Sequence, residues 1–399
     1  MFKRISLKNI VIFIVLTMLV LSSSLFVVNR NLEDIFELFT FGLLMIFVLL
    51  TYCEMPQYYR RKYIAPYVII CGILLSIGLI ISEISISRKI ILLFTMIAIL
   101  MCSVMAEKII DSMELLRYAS YVILIASVLA CFLGWLGQEK IFEIPVEKMM
   151  FSYAFNGGII YKNYFGGNML CVFMGLYIYY HFEKKKKIDL VAMTITILLM
   201  IASSARGALL LLLIFWGIMQ IDILRRFSKK EMILLVTSVV LIGGILFLFL
   251  FEEIALESRT FLYRYRGITN YLNYFKGNMF VLLFGSSKYA YIDGVEYVNA
   301  MRRFVGVNGS YEMAYLNILI KNGMLGLIGF VIIWGRYLII FVRTKVWKYK
   351  IAGIAVLGML LVSGLVEAYL QSVHAVLGIF CYMILSGICG AIHKGEVRK

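Results

Sequence analysis

The chain has 399 residues, of which 62% are hydrophobic and only 16% are charged. A soluble domain carries about a quarter charged residues, so this composition excludes an ordinary soluble protein and indicates an all-α polytopic membrane protein. The formal net charge is +16. Its meaning depends on where the basic residues lie.

Apolar runs predict about twelve membrane-spanning helices within one transmembrane domain, residues 1–399. In chain order the predicted spans are 9–28, 36–53, 64–82, 89–105, 118–136, 164–181, 188–202, 207–221, 232–251, 322–341, 351–368 and 375–392. The first run follows MFKRISLK. It is longer than the core of a signal peptide, so we expect it to be a retained first helix.

The basic residues fall mainly on one side of these spans. If both termini lie on the inner side, the clusters at 60–62, 184–187, 225–230 and 343–350 are also inside, and the short outer loops hold few basic residues. The positive-inside rule therefore predicts a multi-pass protein with both termini in the cytoplasm. Topology explains most of the positive charge, and no nucleic-acid partner is expected.

The cysteines and histidines do not form a metal-binding pattern. All seven cysteines lie in or at the ends of apolar segments, and none forms a CxxC pair. This placement is typical of small buried residues. The three histidines are far apart in the sequence. We therefore expect no disulfide framework, no metal and no cofactor.

Two predicted outer segments are too long to be tight turns, namely 137–163 and 252–321. The second lies between the ninth and tenth spans. A connection of that length is usually functional or disordered, and its many Tyr, Phe and Arg residues argue against disorder. We expect a large, partly helical external loop that caps the membrane domain.

The cap carries a concentration of arginines, and its first part, SRTFLYRYRGITNYLNYF, has helical spacing. Its candidate binding residues are Arg259, Tyr263, Arg264, Arg266, Arg302 and Arg303. They suit an interfacial helix whose arginines meet lipid phosphates. They also suit a site for a substrate phosphate or pyrophosphate, because guanidinium groups bind such anions bidentately.

Three further groups of polar residues fall at predicted outer ends of spans. YKNYFGGN places Lys162 and Asn163 on the outer face, before two glycines that allow close helix packing. SSARGA places Arg206 at the turn between two short spans, where an arginine either snorkels to the interface or meets an anion. Glu367, Gln371 and His374 surround the last outer turn, where a lone histidine has either a structural or a functional role.

In this order, the motifs resemble those of the O-antigen polymerase and ligase family, the Wzy-like integral membrane glycosyltransferases. The matching segments are KNYFG (162–166), SSARGA (203–208), SRTFLYRYR (258–266), LFGSS (283–287) and SYEMAYLNILIKNGMLGLIGF (310–330). The resemblance is strongest from 155 to 330. Many family members have a histidine eleven positions before the last motif's glycine, and the corresponding residue before Gly323 is Glu312.

The resemblance implies a metal-independent transfer between polyprenyl-pyrophosphate-linked oligosaccharides. Because no second carboxylate stands out as a nucleophile, we expect attack opposite the leaving group, which inverts the anomeric centre. The resemblance assigns Arg206, Arg259 and Arg266 to the pyrophosphate, with Lys162 nearby, and makes Glu312 the candidate base. The aromatic residues that it offers as sugar-stacking surfaces are Tyr263, Tyr271, Tyr274 and Tyr315. Its implied partners are the lipid-linked donor and acceptor, membrane lipids, a flippase and a chain-length regulator.

Three functions remain open at this point. A polymerase joins repeat units to one another, a ligase transfers the chain to a different acceptor, and a flippase moves lipid-linked sugars across the membrane. Secondary transporters often contain internal repeats, and the two halves of this chain are not similar. The richness in Ile, Lys, Tyr and Asn favours a bacterium that makes a capsule. We therefore expect a capsular or O-antigen polymerase in a bacterial cytoplasmic membrane.

Overall fold

The computed structural model describes most of the predicted spans. The described residues are 7–53, 65–81, 85–87, 89–90, 93, 112–144, 153–221, 266–273, 279–285, 313–367, 369–370 and 376–397. Helices dominate these ranges. The predicted span at 232–251 and nearly all of the span at 89–105 lie outside the described residues.

The helices follow the apolar runs closely. They are α1 (Leu7–Ser22), α2 (Leu25–Val28), α3 (Glu33–Cys53), α4 (Ala65–Ile81), α5 (Met113–Leu136), α6 (Lys162–Phe182), α7 (Lys187–Ala202), α8 (Arg206–Met219), α9 (Met279–Phe284), α10 (Ala314–Arg343), α11 (Trp347–Val366) and α12 (Val376–Val397). A further helical segment covers 266–273. Strands β1 (Phe142–Glu143) and β2 (Ala154–Phe155) pair antiparallel.

The helical surface is that of a membrane protein. Within the described residues, α5, α10 and α11 are long and apolar enough to cross a bilayer, and shorter apolar helices lie in α1, α3, α4, α8 and α12. Large apolar side chains such as Leu38, Ile125 and Leu213 are 69%, 65% and 62% exposed. Exposing such a surface to water costs free energy. Contact with lipid tails does not, because they are as apolar as leucine. The prediction of a mostly helical membrane protein is confirmed to this extent.

Contacts between the ends of the described helices fall into two groups. At one end, Asn163 at the start of α6 contacts Glu367 just after α11. At the same end, Gly134 near the end of α5 lies against Gly158 in the loop before α6. These contacts bring together segments that the topology predicts to be outside. Among the described residues, the core between the ends is built chiefly on the buried faces of α6, α10, α11 and α12.

The opposite end is held by a buried ion pair. Arg117 in α5 donates from Nε to both carboxylate oxygens of Asp189 in α7, at 2.8 and 2.9 Å. The Tyr121 hydroxyl donates to the same carboxylate at 2.6 Å. Nearby, Lys348 bonds Glu183 at 3.0 Å. Because a buried carboxylate is costly unless it is paired and hydrogen-bonded, this network fixes α5 against the start of α7.

The structure differs from the predicted spans at the first helix. The run predicted as one span, 9–28, is interrupted because α1 ends at Ser22 and α2 begins at Leu25. The three serines at 22–24 donate their hydroxyls to backbone carbonyls three residues earlier. Such side-chain bonds compete with helical ones. The Leu25 N–H then bonds the Gly158 carbonyl at 2.8 Å, which fastens this turn to the segment before α6.

A second difference concerns the helix predicted at 322–341. Helix α10 begins at Ala314, within the range predicted as external loop. Its backbone is broken at Gly323, where φ is 65° and ψ is −167°. The helix is therefore two helical pieces joined at a kink, and glycine tolerates this left-handed region without steric cost.

Candidate functional site

The loop before α6 sets the position of Lys162 and Asn163 at the start of that helix. Asn156 accepts a bond from the Gly158 N–H and donates to the Lys140 carbonyl, both at 3.0 Å. Gly157 and Gly158 have φ values of 60° and 73°, and such a turn favours glycine. The Asn side chain and the two glycines therefore reverse the chain after β2, and α6 begins at Lys162.

Lys162 is partly covered by the short β-hairpin. Its Nζ lies 3.7 Å from Oε1 of Glu143 in β1, and the two side chains are 14% and 31% exposed. Burial raises the pKa of Glu143, and the opposing attraction of Lys162 does not fully offset this. The pair puts a cation and a carboxylate at the start of α6, beside the segment between α5 and α6.

Asn163 joins two distant parts of the chain. Its side-chain amide donates to Oε1 of Glu367 at 2.9 Å, and its backbone carbonyl accepts from the Tyr369 hydroxyl at 2.7 Å. Glu367 is only 9% exposed and Tyr369 is 1% exposed. The carboxylate and the tyrosine thus hold the first turn of α6 against the turn after α11.

The SSARGA motif forms the tight turn between α7 and α8. Ser204 has φ of 50°, and the Arg206 N–H bonds its carbonyl at 3.0 Å. Ser203 donates its hydroxyl back to the Met200 carbonyl at 2.8 Å. The Ser204 hydroxyl is buried and has no hydrogen-bond partner among the described residues. Such an orphaned group is uncommon in native interiors.

The KNYFG and SSARGA motifs are in direct contact. A Cβ at Gly166 would collide with the Cβ of Ala205 and would lie 3.2 Å from the Cβ of Ala208. A Cβ at Gly207 would lie 3.2 Å from Oε1 of Glu367. Small residues on both helices therefore allow this close approach, as in other membrane helix pairs. Glu367 touches both motifs and completes the junction.

Two basic side chains, Lys162 and Arg206, and two acidic ones, Glu143 and Glu367, lie at this junction. Arg206 is exposed at the first position of α8, and a helix N-terminus adds partial positive charge. A guanidinium group offers five N–H donors in a fixed fork. Lys162 lies at the start of α6, so each cation is at the N-terminus of a helix that contacts Glu367.

A second pair of motifs crosses through glycines. Gly285 has φ of 80°, and a Cβ there would lie 2.5 Å from the Lys321 carbonyl oxygen. A Cβ at Gly323 would collide with the Leu283 carbonyl. The buried Asn322 amide donates to the Leu75 carbonyl of α4 at 3.1 Å. The segment 283–285 and the segment 321–323 therefore pack backbone to backbone.

The remaining described candidates lie in different surroundings. Arg266 is exposed at the start of the helical segment 266–273. The Tyr315 hydroxyl donates to the Leu361 carbonyl of α11 at 2.6 Å, and its ring packs edge-on against Trp334, with 5.8 Å between centroids. Tyr315 thus helps to pack α10 on α11, and its stacking role stays a prediction.

Eight predicted positions lie outside the described residues and stay predictions. They are Arg259, Tyr263, Arg264, Tyr274, Arg302, Arg303, Glu312 and His374. Among the described residues, no group of three or more His, Cys, Asp or Glu side chains could hold a metal ion.

The structure adds site contacts that the sequence did not assign. Glu367 was noted only for its place in the outer turn, yet it is the group that joins the two motifs. A carboxylate directly after an apolar span was the signal available for it. Tyr369 and Glu143 carried no comparable signal, because their partners are distant in the sequence.

No protein-family model matches this chain, and no curated protein matches it in sequence. The proposal for its function therefore depends on the motifs and on the contacts between them.

Proposed function

We propose that this chain polymerises lipid-linked oligosaccharide repeat units, carried on polyprenyl pyrophosphate, at the outer face of a bacterial cytoplasmic membrane. The observation that carries the proposal is the packing of KNYFG on SSARGA, with Glu367 touching both motifs. The family resemblance assigns these two motifs to one site, and the fold brings them together. The proposal includes about twelve spans, both termini inside and an external cap at 252–321.

The anion site is the first element of the proposed mechanism. Lys162 and Arg206 lie at the N-termini of α6 and α8, where the helix dipole favours negative charge. A pyrophosphate leaving group gains negative charge as its bond to the sugar breaks. Preorganised cations that meet this charge lower the barrier, and Arg259, Arg264 and Arg266 of the cap are proposed to complete the cluster.

The chemical step follows from this arrangement. A hydroxyl oxygen of the acceptor sugar attacks the anomeric carbon of the donor and forms the new glycosidic bond. The bond from that carbon to the pyrophosphate oxygen breaks, and the pyrophosphate keeps the electron pair. Glu312 is proposed to take the hydroxyl proton, since a carboxylate with a raised pKa can act as a general base. Attack opposite the leaving group inverts the anomeric centre.

Sugar binding is assigned to the cap and to the outer turns. Tyr263 offers an aromatic face for a sugar ring, Arg302 and Arg303 offer hydrogen-bond donors, and His374 is proposed to line the acceptor side. Asn163 has a different role in the proposal, because its side chain and its carbonyl are both bonded within the protein. It orients Lys162 through the first turn of α6.

Polysaccharide analysis in cells tests the function. The gene is deleted and complemented with wild type or with Arg206→Ala, and the polysaccharide is separated on a gel. We expect the deletion strain and the variant to leave single repeat units on the lipid carrier without a ladder. Long polymer that fails to reach its final acceptor would identify a ligase. Repeat units trapped on the inner face would identify a flippase.

A further inference from the structure

An apolar groove runs along the side of the bundle next to the candidate site. It has a volume of about 380 Å³ and lies between α5, α6, α7 and the β-hairpin. Its volume falls within the range of about 300–1,000 Å³ that is typical of small-molecule pockets. Its polar lining side chain, Ser127, already donates its hydroxyl to the Ile123 carbonyl at 2.8 Å. The groove therefore suits a hydrocarbon.

One wall of the groove opens away from the protein. Val128, Phe132 and Trp135 of α5 line the groove and are 61%, 51% and 64% exposed. They belong to a helix that is long and apolar enough to cross a membrane. In a bilayer this opening faces lipid, so a long chain can enter sideways and leave most of its length in the membrane.

The end of the groove beside the β-hairpin adjoins the charged residues of the site. Phe165 lines the groove and belongs to the KNYFG motif, three residues after Lys162. The ring of Phe155 in β2 contacts Phe165 edge-on, with 5.2 Å between centroids. On the neighbouring strand, Glu143 pairs with Lys162 at 3.7 Å. The apolar surface thus ends at the Lys162–Glu143 pair, so the head group of an amphiphile bound in the groove would lie beside Lys162.

We propose that this groove binds the first isoprene units of the polyprenyl chain, with the pyrophosphate at Lys162 and Arg206. The assignment rests on the proposed function, because it names the tail of that substrate. Between protein and lipid tails there is no hydrophobic driving force, so selectivity comes from shape and dispersion. Ring contacts among Phe142, Phe155 and Phe165 hold this wall in place. Such a wall favours a stiff, branched isoprenoid over a flexible acyl chain, which loses more conformational freedom on binding.

Photolabelling of the full-length protein tests the groove. The probe is a polyprenyl pyrophosphate with a diazirine on an isoprene unit near the head, added to protein in phosphatidylethanolamine–phosphatidylglycerol nanodiscs. We expect labelled peptides from 124–135 and 165–169. Val128→Trp should reduce this labelling by roughly tenfold, because an indole would fill the space that the chain needs. Leu213→Trp is the matched control, since Leu213 is 62% exposed on α8 and does not line the groove.

Labelling of wild type maps the site without any substitution, so misfolding of a variant cannot decide the outcome. Equal labelling of wild type and Val128→Trp at these peptides would overturn the assignment. A second result would also overturn the assignment: a phospholipid that carries a diazirine labels these peptides as strongly as the polyprenyl probe does, and excess polyprenyl pyrophosphate does not reduce that labelling. Failure of the proposed function is distinguished in cells: a deletion strain that still makes a normal ladder contradicts the polymerase but leaves the groove labelling intact.

Discussion

Asn163 and Glu367 share a hydrogen bond of 2.9 Å although 204 positions separate them in the chain. The bond joins the first turn of α6 to the residue that follows α11, in a region where Glu367 is only 9% exposed. The same carboxylate lies against Gly207 at the start of α8. One side chain therefore connects the three helix ends that make the candidate site.

Replacing Glu367 should separate its structural role from its charge. Glu367→Ala leaves the Asn163 amide without this acceptor, and an unsatisfied buried group costs about 1–3 kcal/mol. Glu367→Gln keeps an acceptor oxygen and should retain most of that stability. Thermal unfolding in detergent measures both variants. If Gln and Ala lower the melting temperature equally, the bond to Asn163 does not stabilise the junction.

The contact between the two motifs predicts that a side chain at Gly166 destabilises the protein. Gly166→Ala adds a Cβ that collides with the Cβ of Ala205, and such overpacking costs about 1–3 kcal/mol. The control is Gly217→Ala on α8, where a Cβ meets no atom within 4 Å. We expect the first variant to lose thermal stability and polymer, and the control to keep both. Normal stability of Gly166→Ala would contradict the observed packing of α6 on α8.

The pH dependence of stability should reflect Glu143. Burial raises its pKa in the folded state above the ordinary value of 4.5, so the folded protein binds this proton more tightly than the unfolded chain. The resulting stabilisation is present below 4.5 and is lost as the pH rises through the folded pKa.

Glu143→Gln removes that titration. Melting temperatures near pH 4 and near pH 7 measure the effect, and wild type should lose more stability across this interval than the variant does. An identical difference in the two proteins would show that Glu143 titrates as it does in the unfolded chain.

The kink in α10 should depend on Gly323. Its φ of 65° is unfavourable for residues with a side chain, and a Cβ there would collide with the Leu283 carbonyl. Gly323→Ala should therefore cost about 1–3 kcal/mol from this backbone conformation alone, with the clash in addition. Gly335→Ala in the same helix is the control, because its Cβ meets nothing within 4 Å. Membrane levels and melting temperatures compare the two, and equal values would contradict the kink.

The sequence predicted the helices better than it predicted their contacts. Lengths and positions follow from apolar runs, as in α3 and α7, because lipid requires a continuous helix of apolar residues. The interruption at 22–24 was not predicted, because serine is found both inside helices and at their ends. Here the backbone bond from Leu25 to Gly158 holds the chain in a turn after α1.

For the site, the sequence predicted Lys162, Asn163 and Arg206 on one side of the membrane from topology and motif order. The structure brings their motifs into contact through Gly166 and Ala205. The role of Glu367 could not be read from one sequence, because it depends on how α11 packs beside α6 and α8. Periodicity reports which face of a helix is apolar, but not which helix covers that face.

Reconstituted polymerisation tests the central claim most directly. Purified protein in liposomes is given the lipid-linked repeat unit, and products are resolved by length. Arg206→Ala is compared with Arg343→Ala, an exposed arginine at the opposite end of the bundle. We predict long polymer from wild type and Arg343→Ala, and at least a hundredfold slower elongation from Arg206→Ala, about 2.7 kcal/mol of lost transition-state stabilisation. Equal elongation by all three proteins would contradict an anion site at the start of α8.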